Sequence, residues 1–348
     1  MRTAFVSSTA ISQALRYQTL RLQSDLVKAQ TEANTGTYAD VGLELGSRAG
    51  QSVSFTRDID RLQTIADANS IATARLSASQ AALGQVGAAA QSFLSTLTAA
   101  VAGDAGTTVT LAEATSTLRS LHDVMNTSLN GEYIFSGVNT DIKPLDDFAD
   151  PTSTARTAFD NAFEAHFGFA SNDPQAAAID ADAINAFIDG PATDLFLGSG
   201  WQGTMSGASD QTISTRISTS ETAQTSVSAN NEGVRKLAMA SALVTGLFDG
   251  AISQSARNAI VQRAIGIVGE ATADLTGIQA ETGITQQRIT NANERIATQV
   301  TLFKTSLQDL QGVDPYEAAT RVNTLLTQIE TSYALTARLQ QLSLLNYL

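Results

Sequence analysis

The segment GSGWQG at 198–203 has the G-x-G-x-x-G spacing that lets a backbone approach a pyrophosphate closely. Dinucleotide chemistry also needs a strand before that loop, a helix opening at its end and an acid about 20 residues further on. TMSGAS at 204–209 is a poor helix start, so the glycines are read as a turn-rich loop. Two acidic groups offer oxygen ligands for calcium: Asp180 and Asp182 with Asn185, and Asp146 and Asp147 with Asp150. Neither has the D-x-[DN]-x-[DN]-G spacing that brings alternate loop residues round a cation, and both are read as solvated faces. His122 falls on a helix and His166 among Phe163, Phe167 and Phe169. With two histidines and no cysteine, a metal centre or a nucleophile–base pair has little material. No catalytic, cofactor-binding or metal-ligating residue is assigned, and the chain is expected not to be an enzyme.

If the residues do not point to catalysis, the elements that carry them must explain the chain. Its 348 residues could form two or three domains, and aromatics at 6% with one Trp suit long, thin helical packing better than one thick core. No run approaches the ~18 apolar residues of a membrane span, so no membrane insertion is expected. The first apolar run, Ala4 to Val6, stops at Ser7 and Ser8, too short for a cleavable secretory signal. Of the net charge of −13, most falls between Asp141 and Leu195, where eleven acidic residues face only Lys143 and Arg156. That sign argues against nucleic acid, whose phosphates need a basic stripe.

Proline is absent before Pro144, occurs at 144, 151, 174 and 191, and then only at 315. Long helices are therefore permitted on both flanks and interrupted in the middle. From Phe55 a 4,3 spacing through Ile59, Leu62, Ala66, Asn69, Thr73, Leu76, Gln80, Leu83, Gly87, Ala90, Leu94 and Leu97 makes an imperfect heptad seam. A matching run passes through Ile260, Ala264, Ile267, Ala271, Leu275, Ile278, Ile289, Ala292, Ile296, Val300, Phe303, Leu307 and Leu310, and the two should lie side by side. A third helix is predicted over about 111–129. GEYIFSG at 131–137 reads as one arm of a hairpin, and Ile213 to Ser218 as strand. The fold class expected is mainly α: a long antiparallel coiled-coil or helical-bundle rod from both chain ends, with an inserted mixed α/β outer domain.

The two ends complete this picture. Ile11, Leu15, Leu22, Leu26, Ala29 and Ala33 form one stripe on an N-terminal helix, while the chain's last residues stay apolar through Leu342, Leu344, Leu345, Tyr347 and Leu348. Each terminal helix is expected to pack on the other or on copies in neighbouring subunits. The assembly interface is assigned to Ile11, Leu15, Leu22 and Leu26 with Val322, Leu325, Ile329, Leu339, Leu342 and Leu345. At the start of the last helix, Asp314 can cap, Pro315 suits the first position and Glu317 falls as in a capping box.

These residues resemble the flagellin superfamily. The tail TSYALTARLQQLSLLNYL at 331–348 is similar to the ends of its members, as are GEYIFSGVNT at 131–140, ETGITQQRI at 281–289 and SLQDLQGVDPYEAA at 306–319. The resemblance covers both flanks and not the middle, and GTYADVGLELG at 36–46 stands where members often carry an Asp-Asp-Pro stretch. It implies a structural subunit of the extracellular bacterial flagellum, exported by the type III route without a cleaved signal peptide, with no cofactor. Implied partners are further copies in a ring, flagellin, hook-associated protein 1 and a flagellar export chaperone that binds the C-terminal helix. It further implies three layers: an inner coiled-coil domain of 1–45 with 312–348, a rod of 46–140 with 226–311 bearing a β-hairpin, and an acidic outer domain of 141–225. The ends are expected to be mobile in an isolated subunit and the acidic middle dispensable for assembly. Filament flagellin itself, or a cytoplasmic coiled-coil scaffold, are the alternatives.

Overall fold

The computed structural model describes residues 8–345, with side chains from 10 to 338. The chain divides into two compact units, one of residues up to Thr64 together with those from Arg295, the other of Ile65–Glu294. Two long helices contribute to both: α3 (Ala49–Ala102) and α9 (Gln254–Gln311). No helix among the described residues is long and apolar enough to cross a membrane.

In the first unit, α1 (Ser8–Thr35) is followed by the short α2 (Val41–Leu45) and the start of α3, and the end of α9 by α10 (Pro315–Leu345). The ring of Phe55 lies 5.6 Å from that of Phe303, and Gln311 hydrogen-bonds Ser52, so α3 and α9 run antiparallel and side by side here. The expected cap of α10 is half realised. Asp314 accepts from the backbone N–H of Tyr316 at 2.8 Å and of Glu317 at 3.4 Å, while the Glu317 carboxylate turns to Arg321 instead of closing a capping box.

In the second unit the same antiparallel pairing continues, with Gln80 donating to the Gln279 carbonyl at 2.6 Å and Gln286 to Ser77 at 3.1 Å. The seam is wider than the spacing alone predicts. Leu76, Leu83, Ala90 and Leu97 are buried as expected, but the second buried line is Ile65, Ala72, Ser79, Val86 and Phe93, whereas Ala66, Thr73, Gln80, Gly87 and Leu94 are half-buried. A heptad pattern reads one partner helix; α3 has more than one. Ala72 and Leu76 pack with Ile217, Ala223, Ile289 and Ala292 in a small cluster of their own. Further on, Val86 and Phe93 join the main core with residues of α4 (Thr107–Met125) and α8 (Glu232–Leu247).

The third predicted helix ends four residues early. After α4, β1 (Ser128–Leu129) pairs antiparallel with β2 (Glu132–Tyr133) around Asn130–Gly131, both at positive φ (55° and 87°), as a two-residue hairpin turn requires. GEYIFSG is thus the second arm and turn of this hairpin. Gly137 also has positive φ (66°), and a Cβ there would meet the Gln211 and Ser209 carbonyl oxygens at 2.4 Å, so only glycine lets the two segments meet.

The region between the flanks is helical with one further hairpin: α5 (Thr154–Phe167), α6 (Ala181–Phe187), a π-helical turn at Ile188–Ala192, α7 (Thr193–Leu197), then β3 (Ser214–Arg216) pairing with β4 (Thr222–Gln224). Its carboxylates have a structural use. Asp146 accepts from the Ala155 N–H at 3.0 Å, Asp173 from Gln175 at 2.8 Å and Asp180 from Ala183 at 2.9 Å, each satisfying orphan donors at the start of a short helix. Asp150 accepts from the Thr152 N–H and hydroxyl, which hold its carboxyl below the usual carboxylate range. Many short helices need many caps, and this accounts for much of the local acidity.

The same region buries its aromatics in the main core. Phe159 is fully buried, with Phe148 at 5.4 Å, Phe187 at 5.8 Å and Phe196 at 6.3 Å between ring centroids. It lies against α8, where a Cβ at Gly246 would come within 2.5 Å of its ring. Helix α8 is covered on nearly all sides: Val234, Leu237, Met239, Leu243, Val244 and Leu247 are all buried. The aromatics of 148–201 share one continuous core with α4 and α8, which weighs against the expectation that the middle is dispensable for assembly.

Candidate assembly interface

The terminal helices α1 and α10 pack antiparallel along two matching seams. On α1 the inward positions are Leu15, Thr19, Leu22, Leu26, Ala29 and Ala33; on α10 they are Ala318, Val322, Leu325, Ile329, Ser332 and Thr336. Both follow 4,3,4,3,4, the knobs-into-holes spacing of a coiled coil. Ala29 (1% exposed), Ala318 (0%) and Ile329 (8%) are buried, while Leu15, Leu22, Leu26, Val322 and Leu325 are half-buried. The structure therefore brings together six of the residues assigned from sequence. Ile11 remains exposed at 36%. Leu339, Leu342 and Leu345 belong to the last turns of α10, and their side chains lie outside the described residues.

Sequence reasoning missed the polar members of this seam. Thr19 and Ser332 lie 3.1 Å apart, hydroxyl to hydroxyl, and Gln23 donates to the Tyr333 hydroxyl at 2.8 Å. Glu32, 6% exposed, receives Nη1 of Arg321 at 3.0 Å and the Ala39 N–H at 3.3 Å, while Nη2 of Arg321 binds Glu317 at 3.0 Å. The gap in the apolar stripe between Leu15 and Leu22 was the available signal for Thr19: position 19 completes the 4,3 count. Nothing local marks Glu32, whose partner is 289 residues away.

The segment after α1, where the sequence departs from the family pattern, is stitched to the α9–α10 joint by backbone. Gly36, at φ 70°, ends α1 in the left-handed conformation and accepts from the Val313 N–H at 3.0 Å; Tyr38 donates to the Gln311 carbonyl at 2.9 Å. These bonds fix the register from which the two helices run. Arg321→Met is expected to cost the first unit about 1–2 kcal/mol, because Glu32 loses its charged partner inside the seam while solvent at the Arg321 side moderates the effect. Hydrogen exchange of α1 amides should detect the loss, with unchanged protection in α8.

The pair leaves apolar surface over. On the face of α1 opposite the seam, Tyr17 (75% exposed), Leu20 (62%) and Val27 (62%) form a second stripe, and on α10 Leu326, Tyr333 and Leu335 are exposed. Two helices bury one stripe each, and these side chains remain outside it.

The other sequence candidates settle as structure. In GSGWQG, Trp201 is buried, donates Nε1–H to Asn230 at 2.8 Å and lies under the Arg235 guanidinium, and Gly198 and Gly200 fold the backbone close over Asp194 and Leu195. His166 packs edge-on to Phe167, and His122 lies 3.1 Å from Asp123. Among the described residues no group of three or more His, Cys, Asp or Glu is placed to hold a metal ion.

A mainly α-helical chain whose two ends wind into one coiled coil, with apolar side chains left on its outer faces, is built as an assembly subunit. Residues 6–140 match the bacterial flagellin N-terminal helical region, and residues 265–348 match the bacterial flagellin C-terminal helical region. The chain belongs to the flagellin superfamily, a family of structural subunits of the bacterial flagellum. No curated protein matches it. Among solved structures it is similar to a putative flagellar hook-associated protein from Vibrio parahaemolyticus, at 11% identity over 76% of this chain and 97% of that one, with a TM-score of 0.51. At that identity the likeness is one of fold.

Proposed function

We propose that this chain is the flagellar hook–filament junction protein, hook-associated protein 3: a non-enzymatic subunit that links the last hook-associated protein to the flagellin filament. The observation that carries the reading is the second apolar stripe of α1, Tyr17, Leu20 and Val27, exposed although the helix already has α10 as a partner. Burying each such side chain contributes on the order of 1.5–3 kcal/mol, repeated around a ring of identical copies. The hook-associated character of the similar Vibrio structure and the modest middle region favour the junction over the filament itself.

In this reading the inner layer is 1–45 with 312–348, the rod 46–140 with 226–311, and the outer layer 141–225. Neighbours are further copies in a ring, hook-associated protein 1 on the hook side and flagellin on the other. Before export through the type III apparatus, without cleavage of a signal peptide, a chaperone covers the C-terminal helix. The test is quantitative immunodetection in sheared flagella. A few copies per filament are expected for a junction ring; abundance comparable to the filament's main subunit would make the chain a flagellin, and absence from the sheared fraction would sink a flagellar role.

A further inference from the structure

Ala72, Leu76, Ile217, Ala223, Ile289 and Ala292 form a cluster separate from the main core, where the tip of the β3–β4 hairpin meets the α3–α9 pair. The hairpin has little else to hold it. A two-stranded ribbon alone is marginally stable in water at best, so its order must come from docking. Of residues 214–224 only Ile217 and Ala223 are buried. Beside the cluster an open recess of 490 Å3, lined by Thr212 and Gln224 together with Leu76, Ile278 and Thr282, undercuts the hairpin. The ends of the segment are fixed instead. Ser209 donates its N–H to the Ser136 carbonyl at 3.0 Å, and Ala229 donates to the carbonyl of Phe135, a main-core residue, at 2.8 Å. The segment is thus tied at its base and docked at its tip. Two polar contacts hold that tip. Asn69, 0% exposed on α3, donates Nδ2–H to the Ile217 carbonyl at 2.9 Å and to Oδ1 of Asn293 on α9 at 2.7 Å, so one amide joins the hairpin to both helices. Its own Oδ1 is buried with no hydrogen-bond partner, a cost that an apolar side chain in this place would not carry. On the outside, Arg288 of α9 reaches Oε1 of Glu221 at 2.9 Å, with both side chains partly exposed.

We propose that the β3–β4 hairpin is a strap over the α3–α9 pair that opens and closes on its own, with Asn69 as its catch and the Arg288–Glu221 pair as its outer tie. Opening releases only the small cluster and these polar contacts. Helices α4 and α8 and the aromatics of 148–201 keep theirs, because they belong to the other cluster. The open strap uncovers Ala72 and Leu76 on α3 and Ile289 and Ala292 on α9, so the helix pair can shift or bend at this level without unfolding of the main core. The device belongs to the single subunit and does not rest on the junction reading.

Native-state hydrogen exchange and limited trypsin digestion of the full chain test it. The amides of Ile217 and Thr225 bond within the hairpin, to the Glu221 and Ile213 carbonyls at 2.9 and 2.8 Å. In the wild type they should exchange with a weaker denaturant dependence than the amides of α8, because opening the strap exposes little surface. Trypsin should nick the chain after Arg216, an exposed strand residue, at a rate set by the same opening. Asn69→Leu keeps the size of the side chain and removes both donors, and should speed hairpin exchange and the nick by roughly tenfold. Arg288→Gln, at a partly exposed site where the fold is not at risk, should speed both by roughly twofold to fivefold. Exchange in α8 should stay at the wild-type rate in both variants. Hairpin amides that share the denaturant dependence of α8 overturn the proposal, as do variants that leave the nick at the wild-type rate or speed exchange in the hairpin and α8 alike.

Discussion

Replacing residues 145–222 with a short flexible linker is expected to abolish cooperative unfolding of the second unit. The segment supplies Phe159, Phe163, Phe187, Phe196 and Trp201, all nearly or fully buried, to the core that encloses α8. Each such ring contributes on the order of 1.5–3 kcal/mol by burial alone, so their joint loss matches or exceeds the ~5–15 kcal/mol that separates folded from unfolded domains. Helix α8 would then expose Val234, Leu237, Met239 and Leu243 to water. The measurement is a calorimetric melt of the purified deletion variant beside Phe159→Ala, which removes one ring and should cost about 3–5 kcal/mol while keeping a single transition. A sharp, near-native transition in the deletion variant would show that the middle is an independent appendage after all.

Ile329→Ser is expected to separate α1 from α10 and leave the second unit untouched. Ile329 is the largest fully buried apolar residue among the described residues of this seam, whose other fully buried inward positions, Ala29, Ala318 and Ser332, contribute little apolar area. Losing it and placing a hydroxyl there costs about 2–4 kcal/mol, a large fraction of what holds two otherwise marginal helices together. Trypsin cleavage after Arg16 and Arg21 should accelerate by tenfold or more, while the melting of 65–294 stays unchanged. Leu20→Ser, on the outer stripe, should leave cleavage at the wild-type rate yet reduce incorporation into flagella. The pair of variants separates closing the subunit from joining subunits. Equal cleavage rates in Ile329→Ser and wild type would mean that the seam does not hold the ends.

How far the chain could be read from residues depended on whether the relevant physics was local. Helix periods, the proline-free flanks and the capping signals at Asp314 and Pro315 are local, and α3, α9 and α10 appear where those patterns put them. The terminal stripes were legible for the same reason, since a 4,3 repeat defines a face whatever it packs against. The end of α4 was not, because the choice between a last helical turn and the β1–β2 hairpin was made by pairing across Asn130–Gly131. The caps of the middle were hidden for a related reason. Its acidic residues read as a solvated face, and Asp146 and Asp180 are exposed, but their bonds to backbone N–H groups are visible only once the short helices they start are known.

Periodicity and composition were enough to define a mainly helical chain with long flanks and two apolar end helices. Which of those faces were already satisfied emerged from the folded chain alone. It closed the inner stripes of α1 and α10 on each other, left Tyr17, Leu20 and Val27 open, and drew Phe159 and Trp201 into the core around α8. It also matched Glu32 to Arg321 across 289 positions, and Asn69 to Asn293 across 224 and to Ile217 across 148. A periodic pattern says that a face is apolar; whether that face meets its own chain or waits for another depends on distances between residues far apart in sequence, which no window of residues contains.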